Sequence, residues 1–236
     1  MWDNVPLLRS ITGALSAFSI LAMLCSAAWY VVHRPDILPL HSVRLSAAPQ
    51  HLITGEVLQV LRSEVNGNFF TVDTGHLRQA LEKLPWVRGV SIRREFPNRL
   101  IVTLEEHQAL AHWNDTALVN THGEVFVAFS EAQLPEFLGQ DGDSFEVAQR
   151  YGEFSRQLVM LNLQIVQLSL TPRHAWRVLL NNGMTLELGR EEMQQRMARF
   201  VAVYPYSFAA LGGTVKYVDL RYRNGFALGG ANLKSG

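Results

Sequence analysis

Residues 84–106 read Leu-Pro-Trp-Val-Arg-Gly-Val-Ser-Ile-Arg-Arg-Glu-Phe-Pro-Asn-Arg-Leu-Ile-Val-Thr-Leu-Glu-Glu, and their alternation is that of a β-hairpin. Val90, Ile92 and Phe96 share one face, while Ser91, Arg93 and Glu95 take the other, as the two-residue period of a strand requires. Pro97-Asn98-Arg99 makes the turn, the proline ring presetting its first dihedral. The return strand puts Leu100, Val102 and Leu104 on one face. A hairpin with one apolar face needs a second layer, and the preceding stretch supplies it. Asp73 is placed to cap a helix that carries Leu77, Leu81 and Leu84 and that Pro85 closes. Before it, Thr54 caps a helix with Val57, Leu58, Leu61 and Val65 on one stripe, ended by Asn66-Gly67-Asn68. His41-Ser42-Val43-Arg44-Leu45 alternates as a further strand. The order β-α-α-β-β puts two helices over one face of a three-stranded sheet, a small two-layer domain over residues 38–106.

Further toward the amino terminus, Ile11 to Val32 contains no charged side chain. The run is about as long as a helix needs to cross ~30 Å of hydrocarbon at 1.5 Å per residue. Trp29 and Tyr30 lie at its distal end, where an aromatic belt belongs. A cleaved signal peptide has a shorter apolar core and a more basic start, and a lipoprotein needs a small residue before the cysteine, whereas Leu24 precedes Cys25. A retained transmembrane helix over 11–32 follows, with residues 1–10 as a tail. Charge does not orient it: Asp3 offsets Arg9, and Arg34 and Arg44 lie on the far side. Pro35 and Pro39 mark a linker that stops the helix.

Beyond His107 the pattern becomes a longer α+β stretch. Ala117–Asn120 and Gly123–Phe126 read as a hairpin, and Leu134–Gly139 as a connecting segment. Val147, Tyr151, Phe154, Leu158 and Leu161 stripe a helix. Trp176, Val178 and Leu180 alternate, Asn181-Asn182-Gly183 turns the chain, and Met184, Leu186 and Leu188 return. Met193, Met197, Phe200 and Tyr204 stripe a last helix, stopped by Pro205. The final strand covers Val215 to Tyr222 and at its longest reaches Leu228. Val218, Leu220 and Tyr222 lie on one face of it; Tyr217, Asp219 and Arg221 lie on the other. The fold class is thus α+β: an N-terminal transmembrane helix, the small β-α-α-β-β domain, then a larger mixed α/β domain with an antiparallel-rich sheet over 107–230, and a flexible tail at 231–236.

Composition narrows the function. The chain has 21 basic and 21 acidic side chains, without the net basic footprint that nucleic acid binding needs. Its one cysteine, Cys25, lies inside the apolar run, so a cysteine-type zinc site is excluded. No P-loop, G-x-S-x-G or H-E-x-x-H pattern occurs. His107, His112 and His122 fall in one region, but their spacing does not bring them to one face. Glu105 and Glu106 are adjacent on a strand and point apart, so they do not converge for acid–base work. Gly229-Gly230 has no following helix with which to cradle phosphate and reads as flexible. Arg88, Arg93, Arg94 and Arg99 make the hairpin basic; a solvated face and a docking patch for protein or anionic headgroups both fit. The C-terminal strand, if at a sheet edge, offers unpaired backbone groups to a partner strand.

Phe70-Thr71-Val72-Asp73, Leu84-Pro85-Trp86-Val87, Arg94-Glu95-Phe96-Pro97-Asn98-Arg99-Leu100 and Glu105-Glu106, in that order after a span, resemble a POTRA domain of the type in the FtsQ/DivIB family of bacterial division proteins. Tyr217-Val218-Asp219-Leu220-Arg221-Tyr222 followed by Asn224-Gly225 resembles the same family. The resemblance implies a non-enzymatic divisome scaffold of the cell inner membrane, single-pass and with its bulk in the periplasm at the septum. It implies no cofactor, and binding of FtsB and FtsL by strand addition at the C-terminal strand, with partner contacts at Tyr217, Arg221, Tyr222 and Gly225. The POTRA domain is expected to bind further divisome proteins. Members of the family can carry a tryptophan shortly after this motif; this chain has Gly229-Gly230 there. The competing reading is a membrane-anchored envelope enzyme acting on peptidoglycan, with the POTRA domain as a spacer.

Overall fold

In a computed structural model of the chain, the first element is a helix of 28 residues, α1 (Val5–Val32). The structure describes residues 5–34, 39–40, 42–47, 51–52, 54–207, 215–223 and 225–230. Asp3, Pro35, His41, Asn224 and the tail at 231–236 lie outside them. Within α1, Arg9–Val32 is apolar enough and long enough to cross a membrane, and none of it is buried against the rest of the chain. Leu15, Phe18, Leu21, Met23 and Leu24 are all exposed. Apolar surface of this extent is stable only against lipid or another apolar surface.

The chain divides into two compact units, Met1–Glu106 and His107–Gly236. After α1, the first unit contains β1 (Ser42–Leu45), α2 (Thr54–Glu64), α3 (Thr74–Leu81), β2 (Val87–Glu95) and β3 (Arg99–Glu106). The three-stranded sheet runs β1-β3-β2, with β1 parallel to β3 and β2 antiparallel to it. Val57, Leu77, Leu81, Leu100 and Val102 have no exposed surface and form the core between helices and sheet. Asp73 caps α3, its Oδ1 accepting from the His76 N–H at 2.9 Å.

Several local expectations shift. Thr54 is the first helical residue of α2 and not the residue before it. Leu58 is 39% exposed, at the margin of the stripe. The helix α3 ends at Leu81, short of Pro85, although Leu84 still packs on the same core. Phe96 stands 74% exposed, because β2 stops at Glu95 and the pleat that would turn it inward is gone.

The second unit contains β4 (Ala109–Trp113), β5 (Ala117–Asn120), β6 (Val125–Phe126), β7 (Glu136–Leu138), α4 (Ser144–Leu158), β8 (Ile165–Leu170), β9 (Trp176–Leu180), β10 (Thr185–Gly189), α5 (Met193–Ser207), β11 (Tyr217–Asp219) and β12 (Ala227–Gly229). They form one nine-stranded sheet, β12-β11-β10-β9-β8-β7-β4-β5-β6. Most neighbours are antiparallel; β10–β11, β4–β7 and β7–β8 are parallel. The stripes of α4 and α5 pack Val147, Phe154, Leu158, Met197 and Phe200 onto Phe137, Leu168, Trp176, Val178, Leu186 and Val218, all of them buried.

The segment expected to be a connector, Leu134–Gly139, contains β7, which lies between β4 and β8 with Phe137 fully buried. Pro205 does not stop α5, which runs through it to Ser207; a proline so close to a helix end removes little of the ladder. The final strand is also not one ribbon. The strand β11 ends at Asp219, where the Asp219 carboxylate accepts the Arg221 N–H at 3.0 Å. This local turn competes with the ladder. The chain then returns antiparallel as β12, with Tyr217 opposite Gly229 and Asp219 opposite Ala227. Gly229, expected to be flexible, is therefore a strand residue.

Candidate functional site

The predicted site residues fall on β11 and the turn after it. Tyr217 is at the start of β11, flanked by Thr185 of β10 on one side and Gly229 of β12 on the other. This strand is interior, so the expectation of a free backbone there is corrected. Its own chain pairs with both flanks, because Phe226 packs against the core and draws the following residues back along the sheet. Among the described residues, the outermost strand on this side is β12. Ala227 and Leu228 are exposed along it.

Charge is concentrated beneath this edge. Asp219 is only 4% exposed, and burying a carboxylate is costly unless it is paired. Arg221 meets it: Nε donates to Oδ1 at 2.9 Å and to Oδ2 at 3.0 Å, and Nη2 also donates to Oδ2. These bonds hold the Asp219 carboxyl below its ordinary value against the opposing effect of burial, and they raise the Arg221 guanidinium in turn. Glu187 on β10 is likewise buried and paired with Arg177 on β9. Burial, and then Glu187 and Asp219, push the Tyr217 phenol upward, so it stays a neutral hydroxyl.

Arg199 of α5 fastens the turn. Its guanidinium donates to the carbonyl oxygens of Leu220 at 3.4 Å, Tyr222 at 3.3 Å and Arg223. The ring of Tyr222 is left 58% exposed. Tyr222, Arg223, Gly225, Phe226 and Ala227 line an open groove of about 480 Å³ at the start of β12. A β-carbon on Gly225 would meet nothing within 4 Å; the fold does not require a glycine there. Arg221 also reaches a second cleft of about 360 Å³, lined with Arg173, Arg190 and Arg196 beside Glu187 and Glu191.

Sequence reasoning brought Tyr222 and Gly225 to the groove, and Arg221 to the charged layer below it. It missed Arg199, Phe226 and the edge residues Ala227 and Leu228. The sequence signal for the returning strand is weak: Asn-Gly is a residue pair that favours turns, but Gly-Phe-Ala-Leu-Gly-Gly shows no alternation.

The remaining candidates resolve into local pairs. Glu105 pairs with Arg88 and Glu106 with His51, apart from each other as strand parity demands. His107 stacks on Phe126 with ring centroids 4.1 Å apart and lies 2.9 Å from the Asn120 amide. No group of three or more metal-ligating side chains occurs among the described residues. Of the basic hairpin, Arg94 donates to the Val72 carbonyl at 2.8 Å and Arg99 lies 3.6 Å from Glu95.

Fold and site together define a class: a chain with an apolar helix fit to anchor it in a membrane, a small β-α-α-β-β unit, and a larger mixed-sheet unit whose last described strand lies at the edge. Residues 38–107 match the family model for the POTRA domain, FtsQ-type, and residues 111–221 match that for cell division protein FtsQ/DivIB, C-terminal. Cell division protein FtsQ of Burkholderia pseudomallei is 38% identical over 241 residues, covering 99% of this chain and 96% of the relative. That of Nitrosospira multiformis is 40% identical over 235 residues, covering 98% and 99%, and that of Shewanella oneidensis is 39% identical over 207 residues, covering 85% and 79%. The chain belongs to the FtsQ/DivIB family of cell division proteins.

Proposed function

We propose that this chain is a non-enzymatic divisome scaffold that binds FtsB and FtsL by accepting a partner strand along β12. In this reading residues 1–10 are cytoplasmic, 11–32 span the inner membrane, and the POTRA domain (38–106) and the β-domain (107–230) lie in the periplasm at the septum, with a short tail at 231–236. The scaffold recruits and controls septal peptidoglycan synthesis, and the POTRA domain binds further divisome proteins.

The observation that carries the reading is the position of β12 as the outermost described strand, with the Tyr222 groove at its start. A sheet edge offers main-chain donors and acceptors to a strand, and an aromatic anchor beside it adds specificity. Tyr217 packs against Gly229 of that edge, Arg221 pairs with Asp219 on the neighbouring strand, and Tyr222 and Gly225 border the groove. The test is a pull-down of this chain with the soluble segment of FtsB. Tyr222→Ala weakens capture by about tenfold or more, the loss expected of a hot-spot aromatic, while thermal unfolding is unchanged. Undiminished capture by the folded variant refutes the assignment.

A further inference from the structure

Asn68 is polar yet has no exposed surface, and its bonds account for that. Its Nδ2 donates to the carbonyl oxygen of Val32 at 2.6 Å, an acceptor that the helix C-terminus leaves open, and to that of Arg34, just past the helix, at 2.9 Å. Its Oδ1 accepts the N–H groups of Phe70 and Thr71, each at 2.9 Å, and the Thr71 hydroxyl at 3.0 Å. One side chain thus joins the end of α1 to the 66–72 loop and uses both halves of its amide to do so.

The depth of that junction follows from α1. The apolar stretch Arg9–Val32 has 24 residues, and at 1.5 Å per residue it is a little longer than the ~30 Å hydrocarbon core. Its Val32 end therefore reaches the headgroup boundary. Trp29 and Tyr30 are exposed there, and Arg34 donates to the Tyr30 hydroxyl at 2.6 Å. A loop hydrogen-bonded to Val32 shares that depth.

This loop carries exposed aromatic surface. Phe70 is 48% exposed and Phe96, at the β2–β3 turn, 74%. Phe69 joins them, edge to face with Phe70 at 5.3 Å and with Phe96 at 6.2 Å between ring centroids. Arg93 on the same hairpin is exposed, and Arg99, at its turn, is partly exposed 3.6 Å from the Glu95 carboxylate. Aromatic rings beside arginines are the composition of a membrane–water interface facing anionic lipid.

We propose that Phe70 and Phe96 form a foot that enters the headgroup layer of an anionic bilayer beside α1, with Asn68 fixing the small domain to the end of the span. A bilayer is the occupant favoured over a protein because the Asn68 clamp holds the patch at bilayer depth whether or not a partner is bound. The inference rests on α1 being a membrane span.

The test uses the full chain carrying Cys25→Ser and, in turn, Phe70→Cys, Phe96→Cys or Lys83→Cys, each labelled with an environment-sensitive fluorophore. Lys83 is exposed beyond the other end of α3. The chains are reconstituted in vesicles of phosphatidylethanolamine and phosphatidylglycerol, with or without nitroxide-bearing lipid. Quenching several-fold stronger at 70 and 96 than at 83 is expected. Adding Asn68→Ala should lower it at both positions while the circular dichroism spectrum is unchanged. Equal, weak quenching at all three positions in a chain that floats with the vesicles overturns the foot, leaves the span standing, and turns the aromatics over to a protein partner. A chain that does not float overturns the span and the foot together.

Discussion

Tyr217 packs against Gly229, its partner across the β11–β12 ladder: a β-carbon on Gly229 would stand 3.3 Å from Tyr217 Cδ1 and 3.4 Å from Tyr217 Cβ. The close approach lets β12 lie flat on β11. Gly229→Val should push the two strands apart at a cost of about 1–3 kcal/mol, as overpacking does. Hydrogen exchange should quicken at the Ala227–Gly229 amides and stay slow at Leu186 and Val178. Unaltered protection along β12 would show that the tyrosine ring yields instead.

The pairing of Asp219 with Arg221 makes part of the stability of this edge depend on pH. The Asp219 carboxyl is held below its ordinary value of 3.8, chiefly by the Arg221 hydrogen bonds. A folded-state value below the unfolded one contributes stability that is present above the ordinary value and is lost as pH falls through the folded value. Arg221→Met should therefore cost about 1–3 kcal/mol at neutral pH, the range for a buried acceptor left without its donor. The half-exposed guanidinium keeps the cost below that of breaking a fully buried pair. The gap between variant and parent should close in acid, measured by urea unfolding across a pH series. A gap that stays constant into acid would place the effect elsewhere.

Arg199 connects α5 to the turn that bears Tyr222 through three carbonyl oxygens. Arg199→Ala should free the turn without opening the core, since Met197 and Phe200 on the same helix stay buried. Capture of the partner segment should fall about tenfold, equivalent to ~1.4 kcal/mol, with little change in the unfolding midpoint. Binding equal to that of the parent would mean that Phe226 alone positions the turn.

Phe137 tests whether β7 is a core strand. With no exposed surface between β4 and β8, Phe137→Ala should cost about 3–5 kcal/mol, as large-to-small core changes do. Val127, 75% exposed, should lose less than about 0.5 kcal/mol on replacement by alanine. Similar denaturation midpoints for the two variants would contradict the central place of β7.

The elements legible in advance share one property: their pattern repeats within the segment itself. Leu77 and Leu81 recur at helical spacing, and Trp176, Val178 and Leu180 at strand spacing, each next to its own turn or cap. The strands β4, β7 and β8 carry no such repeat: in β4 a register shift falls between Ala109 and Ala111. The strand β7 is only three residues long, too short for alternation to register. In β8, Ile165, Leu168 and Leu170 are buried and a register shift interrupts the alternation. The site divides in the same way. Tyr222 was legible only as part of a recognisable run, its exposure following from the end of β11 at Asp219, whereas Arg199 contacts the turn from more than twenty positions earlier in the chain, a separation that no local pattern carries.

Local chemistry in the sequence was enough to determine the long apolar helix, the small two-layer domain and the class of the second unit, because periodicity, capping and turn residues act between near neighbours. Which backbone lies at the edge was decided only by tertiary structure. Asp219 folds the chain back on itself, Phe226 draws the return onto the core, and Gly229 lets it lie against Tyr217, so the outermost position passes from β11 to β12. The Asp219 turn is local, but the Phe226 and Gly229 contacts join residues that become neighbours only after the sheet has formed.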